Sequence, residues 1–473
     1  MTTTSAMTLT PQATRSRRGA ELFLLVVGGL VFVGAYAAVG LGVNGELPAN
    51  LGTYGAFLAV LLLAAHLVVR RTARYADPVL LPAVGVLNGL GLAMIHRLDL
   101  ADVKRGEEAR GALPSGDALS QLTWMTVGVA LFALVLIGVR DHRTLQRYTY
   151  TAMVLGIGLL LLPLVPGIGV TLNGSRIWIR ALGFSFQPGE AAKVVLMVFF
   201  AGYLVVKRDV LALAGRRVLG VDLPRGRDLG PLMLVWLACL AILVFEKDLG
   251  TSVLFFGSFV MLLYVATQRR SWLILGALLF AVGGWFAYKS FGHVHVRVDA
   301  WLHPFAHPEL GPTQLTQGLF GLAAGGILGT GLGLGRPDLV PLAKSDFIVA
   351  SIGEELGLTG LMAVLLLYGI IVERGLRTAI ASRDAFGKLL AAGLSFIIGI
   401  QVFVVVGGVT RLIPLTGLTT PFLSYGGSSL VVNWMIIALL LRMSDAARRP
   451  APVPSTAAST ASATTGRQPA VQP

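Results

Sequence analysis

Three carboxylates in segment 341–360 (PLAKSDFIVASIGEELGLTG) are the residues of this chain best placed to do chemistry beside a membrane. Asp346 falls where a loop of mixed polarity meets an apolar run, and Glu354 and Glu355 follow about two to three helical turns later. A carboxylate inside a membrane span is costly unless it is paired or hydrated, so each is a functional candidate. Spacing alone favours a simpler interpretation of Asp346, as only a helix N-cap. Since Glu354 and Glu355 cannot face the same way, one of them is expected to pair inside the helix bundle.

Charged residues interrupt apolar runs at two other places. Glu190 and Lys193 are three residues apart and therefore share one helix face. They are either a buried ion pair that holds the bundle in register, or the charged wall of a polar cavity in which Lys193 is available to a phosphate. Asp248, in FEKDLGTS, has the spacing of a helix N-cap, and a functional role is the alternative.

Two arginines flank a tryptophan in the loop NGSRIWIRALGFSFQPGE, which the topology below assigns to the outside. Trp178 suits an ordinary interfacial anchor. Arg176 and Arg180 need another explanation, because outer loops are generally poor in basic residues. They have the chemistry to bind an anionic headgroup or a pyrophosphate.

Composition requires that these residues be carried by a membrane protein. Of the 473 residues, 55% are hydrophobic and only 13% are charged, and the mean hydropathy is +0.76. No soluble domain of this length has that balance. The formal net charge of +14 comes from short basic clusters between apolar runs, a pattern that sets topology and does not form a nucleic-acid face.

No metal site is predicted from cysteines or histidines. Cys239 is the only cysteine and lies within an apolar run, which excludes a disulfide framework. The histidines of the longest loop match no usual zinc spacing. They are His293, His295, His303 and His307.

Apolar runs of sufficient length predict twelve transmembrane helices and an all-α polytopic fold. The runs are 20–43, 51–69, 78–96, 121–139, 150–171, 186–206, 229–246, 249–267, 271–288, 347–372, 388–410 and 424–442. If the N-terminus is inside, basic residues favour the inner side by about two to one, which predicts that both termini are cytoplasmic.

This topology assigns residues 289–346, between spans 9 and 10, to one long extracellular loop. Its apolar, glycine-rich part, 318–335, is too short for a span and is predicted to be re-entrant or interfacial. A phosphate loop is disfavoured there, because no strand–turn–helix context surrounds the glycines.

The chain resembles the SEDS family (shape, elongation, division and sporulation; FtsW, RodA and SpoVE), and within it the actinobacterial RodA branch. The matching segments occur in family order. They are GSRIWI (174–179), FQPGEAAK (186–193), DLGTS (248–252), Gln317 with AAGG (323–326), SDFIVASIGEELGLTG (345–360) and PLTGLTTPFLSYGGSS (414–429).

The resemblance implies a peptidoglycan glycosyltransferase of the cytoplasmic membrane, acting in cell elongation and shape maintenance. Such enzymes polymerise lipid II, a disaccharide-pentapeptide on undecaprenyl pyrophosphate, into β-1,4 glycan strands outside the membrane. They work with a class B penicillin-binding protein. The implied divisions are a cytoplasmic N-terminal tail (1–19), two additional spans (20–76), a ten-span core (77–445) and a disordered cytoplasmic tail (446–473).

The family motifs also imply a set of site residues. The essential aspartate of the family corresponds to Asp346 as the catalytic residue. The residues implied for substrate binding or the cavity are Glu190, Lys193, Trp178, Arg176, Asp248, Arg297, Gln317, Glu355 and Ser424.

The implied reaction joins a GlcNAc 4-hydroxyl to MurNAc C1 and inverts an α-linked pyrophosphate into a β-1,4 bond. It needs a base on the hydroxyl and charge to stabilise the leaving pyrophosphate. Asp346 is the natural base. Basic residues facing the cavity, or a divalent cation such as Mg²⁺, would serve the leaving group.

The chain departs from the family pattern in the long loop, at His303, Pro312, Thr313 and Gly318. Proline at 312 fixes φ, so we expect a stiffer loop and weaker acceptor binding than in typical relatives. Two alternatives stay open. One is a lipid II flippase or transporter, because buried charges and discontinuous helices are common in transporters too. The other, which the loop departures make possible, is a division- or sporulation-specific member with reduced catalysis that acts as a scaffold for a penicillin-binding protein.

Overall fold

Fourteen α-helices dominate the part of the chain that the computed structural model describes. The described residues are 17–104, 116–172, 174–181, 184–212, 216–218, 221–223, 226–306 and 313–450. The helices are α1 (Arg18–Asn44), α2 (Leu51–Thr72), α3 (Leu80–Lys104), α4 (Asp117–Gly138), α5 (Thr149–Leu161), α6 (Pro188–Ala212), α7 (Gly226–Phe245), α8 (Leu249–Thr267), α9 (Ser271–Ser290), α10 (Gly292–Leu302), α11 (Gln314–Gly325), α12 (Ile348–Ala381), α13 (Ala385–Val409) and α14 (Gly427–Arg448).

Each of the twelve predicted spans coincides with one of these helices, which confirms the all-α polytopic prediction. Eleven helices in the described ranges are long and apolar enough to cross a membrane. The exception is α7, whose described apolar stretch is Leu232–Phe245.

The fifth predicted span extended too far. The prediction ended it at residue 171, but α5 ends at Leu161 and a 3₁₀ turn covers Leu162–Leu164. Pro163 and Pro166 cannot donate helical hydrogen bonds, so the chain leaves the helix here. It then forms a small antiparallel sheet of three strands.

That sheet consists of β1 (Gly169–Leu172), β2 (Ser175–Ala181) and β3 (Phe184–Phe186), in the order β1-β2-β3. Trp178 is paired with Val170 in the middle strand. The sheet lies over the start of α6. A second hairpin, β4 (Arg216–Val218) and β5 (Val221–Leu223), joins α6 to α7 at the other end of the bundle.

Burial divides the helices into a central and a peripheral group. Helices α3, α6, α13 and α14 are mostly buried, whereas α9 is mostly exposed and offers its apolar surface to lipid. Helix α1 packs along α3, and α2 packs against α1 and α4. Buried polar contacts join α1 to α2 and to the segment before α3. Arg18 donates hydrogen bonds to Glu21 and to the Ala76 carbonyl, and His66 Nδ1 lies 2.7 Å from Glu21 Oε1.

Helix α12 is broken near its beginning. Gly357 has φ 67° and ψ −171°, a conformation that favours glycine and interrupts the helix. The amides of Leu358 and Thr359 donate to the carbonyls of Gly326 and Ile327 instead of to their own helix. The predicted re-entrant segment is thus a short helix, α11, followed by glycine-rich turns that pack back on the break.

Candidate active site

A polar cavity of about 1100 Å³ opens at the end of the bundle where α4, α6, α8 and α12 begin. Its wall carries three carboxylates, from Glu190, Asp248 and Asp346. Arg297 and Trp178 also line it. Sequence positions more than 150 residues apart therefore meet in one site.

Asp346 lies in the loop before α12 and is half-buried at the cavity wall. It is not the helix cap, because the N-cap position is Phe347 and has no side-chain capping bond. Burial raises the pKa of the Asp346 carboxyl to about 6, although a hydrogen bond from Ser345 and the charge of Arg297 oppose the shift. The pKa of this carboxyl is thus about one unit below neutral pH.

The loop that carries Asp346 is held by its neighbours through backbone atoms. Ser424 Oγ donates to the Ser345 carbonyl at 2.6 Å, and the Tyr425 amide donates to the Lys344 carbonyl at 2.8 Å. Ser424 does not line the cavity. It acts on the site by fixing the residue next to Asp346.

Lys344 anchors the same loop through its side chain. Its Nζ lies 2.7 Å from Asp99, 2.6 Å from Asp102 and 2.7 Å from Asp117. These three carboxylates come from the end of α3 and the start of α4. Sequence reasoning missed this cluster, for which the only signal was acidic residues at the ends of two predicted spans facing the same side.

Asp248 combines a structural role with a place in the cavity wall. Its carboxylate accepts from the Thr251 amide at 2.9 Å, which confirms the prediction of an N-cap for α8. Burial raises the pKa of the Asp248 carboxyl, while the Thr251 hydrogen bonds and Arg297 lower it. Lys247, beside it, also lines the cavity and was not predicted.

Arg297 is held in the cavity by α10 and the 411–417 loop. Its Nη1 donates to the Thr416 carbonyl at 2.8 Å. Burial lowers the pKa of the Arg297 guanidinium, and Asp248 and Asp346 oppose that shift. A Cβ built on Gly417 would lie 3.6 Å from Asp346 Oδ2 and 3.8 Å from Arg297 Nη2, so this glycine sits between the two charges.

Glu190 and Lys193 form the predicted ion pair. Lys193 Nζ lies 2.7 Å from Glu190 Oε2, and both side chains are almost fully buried. Lys193 Nζ also donates to Gln401 Oε1 at 3.0 Å, and Gln401 Nε2 donates to the Thr419 carbonyl at 2.8 Å. Glu190 lines the cavity, whereas Lys193 lies behind its wall.

Three other predicted site residues also lie away from the cavity. Glu355 Oε1 accepts from Arg97 Nε at 2.8 Å, which confirms that one of the two glutamates pairs inside the bundle. Arg176 Nη2 donates to the Val165 carbonyl at 3.2 Å within the hairpin region. Gln317, on α11, has a buried side-chain oxygen without a hydrogen-bond partner among the described residues.

Among the residues that the structure describes, no three His, Cys, Asp or Glu side chains come together as metal ligands. His307 and Pro312 lie outside the described residues. Positive charge on the described cavity wall comes from Arg297 and Lys247.

Two of the residues that depart from the family pattern have structural roles. Thr313 caps α11 by accepting a hydrogen bond from the Thr316 amide, and Gly318 leaves room for the ring of Phe347, next to Asp346.

Comparison with known proteins gives consistent matches over most of the chain. The family model for FtsW, RodA and SpoVE, described as a cell cycle protein, matches residues 78–449. The peptidoglycan glycosyltransferase RodA of Mycobacterium tuberculosis is 52% identical over 436 residues, which cover 92% of each chain. The protein of the same name from Mycobacterium leprae is 50% identical over 445 residues, which cover 94% of each chain.

A solved structure supports the fold. It is described as a peptidoglycan synthase complex that coordinates polymerization and crosslinking. The matching chain aligns with a TM-score of 0.52 and 24% identity, covering 84% of the present chain and 98% of its own. At that identity the likeness shows a shared architecture.

Proposed function

The chain belongs to the FtsW/RodA/SpoVE family of cell cycle proteins, and we propose that it polymerises lipid II with Asp346 as the general base. It is a multi-pass membrane protein and a peptidoglycan glycosyltransferase, as its mycobacterial relatives are named. Lipid II as substrate and a class B penicillin-binding protein as partner are the finer parts of the proposal, and both rest on the family resemblance.

One observation carries the assignment of Asp346. Of the three cavity carboxylates, Asp248 caps α8 and Glu190 is paired with Lys193. Within the described ranges, Asp346 neither caps a helix nor lies within salt-bridge distance of a cation. Its carboxylate is therefore available to accept a proton from a substrate.

The proposed step is a single displacement. The acceptor 4-hydroxyl oxygen forms a bond to C1 of the donor MurNAc, and its proton passes to Asp346. The bond from C1 to the pyrophosphate oxygen breaks, and undecaprenyl pyrophosphate leaves with the electron pair. Arg297 and Lys247 stabilise the charge on the leaving group.

The orientation is part of the same proposal. Both termini are placed in the cytoplasm, and the cavity opens to the outside, where lipid II presents its sugars. Single cysteines at the exposed positions His303 and Arg383 test this, because the native Cys239 is buried. A membrane-impermeant maleimide added to intact spheroplasts should label His303→Cys and leave Arg383→Cys unlabelled. The reverse pattern would refute the orientation.

The raised pKa of Asp346 predicts how the rate depends on pH. A general base works only when deprotonated, so the rate should fall as pH drops through about 6. Well below that value the fall should approach about tenfold per pH unit. Initial rates with labelled lipid II between pH 5 and pH 8 measure this, with melting curves at each pH to show that the protein stays folded. A rate that stays constant down to pH 5 would mean that no base with a pKa near 6 takes part in the reaction.

A further inference from the structure

Helix α1 makes direct backbone contact with a turn more than 280 residues away in sequence. A Cβ built on Gly42 would lie 2.3 Å from the Leu332 carbonyl oxygen. A Cβ built on Gly333 would lie 2.8 Å from the Val39 carbonyl oxygen and 3.1 Å from the Gly42 Cα. Neither backbone leaves room for a side chain on the other, so both glycines are required by this approach.

The turn that α1 touches belongs to residues 326–336, here called the glycine loop. This loop is hydrogen-bonded to the first part of α12. The amides of Thr330 and Gly331 each donate at 3.0 Å, to the carbonyls of Glu354 and Glu355 respectively. The Gly333 amide donates to Glu355 Oε2 at 2.9 Å. The glycine loop thus holds α12 through both backbone and side-chain acceptors.

Residues 348–356 of α12 depend on these lateral contacts. The break at Gly357 separates them from the long remainder of the helix, so the helix axis alone does not fix their position. The glycine loop binds the end of this segment at Glu354 and Glu355, and Asp346 lies just before its beginning. A shift of the glycine loop would therefore act on Asp346 through residues 348–356, in addition to the anchors of its own loop at Lys344 and Ser424.

We propose that α1 is a positioning element of the active site, acting through the contact of Gly42 with Gly333. The contact fixes the glycine loop, the glycine loop fixes residues 348–356, and these fix Asp346. The inference rests on the proposed role of Asp346 as base. It gives a function to an N-terminal helix that lies outside the residues, 78–449, matched by the family model.

The test compares leucine at two glycines of α1. Gly42→Leu forces the helix away from the glycine loop, whereas Gly34→Leu is the matched control because nothing lies within 4 Å of its Cβ position. For Gly42→Leu we expect kcat for glycan polymerisation to fall by about tenfold or more, with KM within about twofold, since misplaced catalytic groups slow chemistry without weakening binding. Gly34→Leu should match the native protein in both constants. Gly42→Ala provides a milder variant if the leucine protein does not fold.

Hydrogen exchange separates this inference from the assignment of the base. Amides of residues 329–336, within the glycine loop, should exchange faster in the Gly42 variants than in Gly34→Leu. Faster exchange with an unchanged kcat would overturn the positioning role, and unchanged exchange would overturn the contact itself. A rise in KM with an unchanged kcat would indicate weaker substrate binding and would also overturn the positioning role. Full activity of Asp346→Asn would refute the assignment of the base and leave the exchange result standing.

Discussion

Replacing Asp346 by asparagine is expected to lower the rate of glycan polymerisation by about 10²–10⁴-fold, the usual cost of losing a general base. Asparagine has nearly the same size and accepts hydrogen bonds, so the hydrogen bond from Ser345 can be kept. It cannot accept the proton of the attacking hydroxyl. The protein should insert, fold and bind its partner as the native protein does, and the product gel should show only unreacted lipid II.

Asp299→Asn is the matched control for that variant. Asp299 lies in the same long loop but does not line the cavity, so its amide should leave the rate within about twofold of the native value. Near-normal polymer from Asp346→Asn would exclude this carboxylate as the base. It would also revive the hypothesis that the chain moves lipid II without joining it.

Breaking the buried pair of Glu190 and Lys193 is expected to have the largest effect on stability. Glu190→Gln and Lys193→Met each leave a buried charge without its counter-ion, which costs about 3–5 kcal/mol. The double change removes both charges and should recover part of that loss. Recovery should be incomplete, because Gln401 Oε1 still loses the hydrogen bond from Lys193. Melting of the four proteins in detergent gives the coupling free energy.

The exposed pair Glu373 and Arg377 provides the comparison, since it has similar helical spacing but side chains that are 42% and 66% exposed. Its coupling should be below about 1 kcal/mol. If the losses at Glu190 and Lys193 are strictly additive, the two residues are not energetically paired, whatever their distance.

Sequence alone predicted much of this fold because membrane helices are encoded locally. An apolar run of about 20 residues specifies a span without reference to its neighbours, and all twelve runs correspond to helices. Local spacing also predicted the N-cap at Asp248 and the pairing of Glu190 with Lys193. Where local patterning was weaker, at the prolines after α5, the predicted boundary was wrong.

The contacts that sequence reasoning missed join distant parts of the chain. Lys344 and Asp99 are 245 residues apart, and Arg97 and Glu355 are 258 apart. Hydrophobic periodicity says that a helix exists but not which helix lies beside it. For the same reason, the sequence allowed Lys193 to be placed where it could bind a phosphate. In the structure, packing against α13 places Lys193 beside Gln401 and away from the cavity.

The central claim is most directly tested by supplying lipid II to the purified protein in proteoliposomes, together with a class B penicillin-binding protein whose transpeptidase is blocked. Polymer length on a gel and the leaflet position of labelled lipid II are measured in the same sample. We expect a ladder of glycan strands that a muramidase digests, formed on the side to which the cavity opens. Lipid II that crosses the membrane but stays monomeric would contradict the claim and identify a transporter instead.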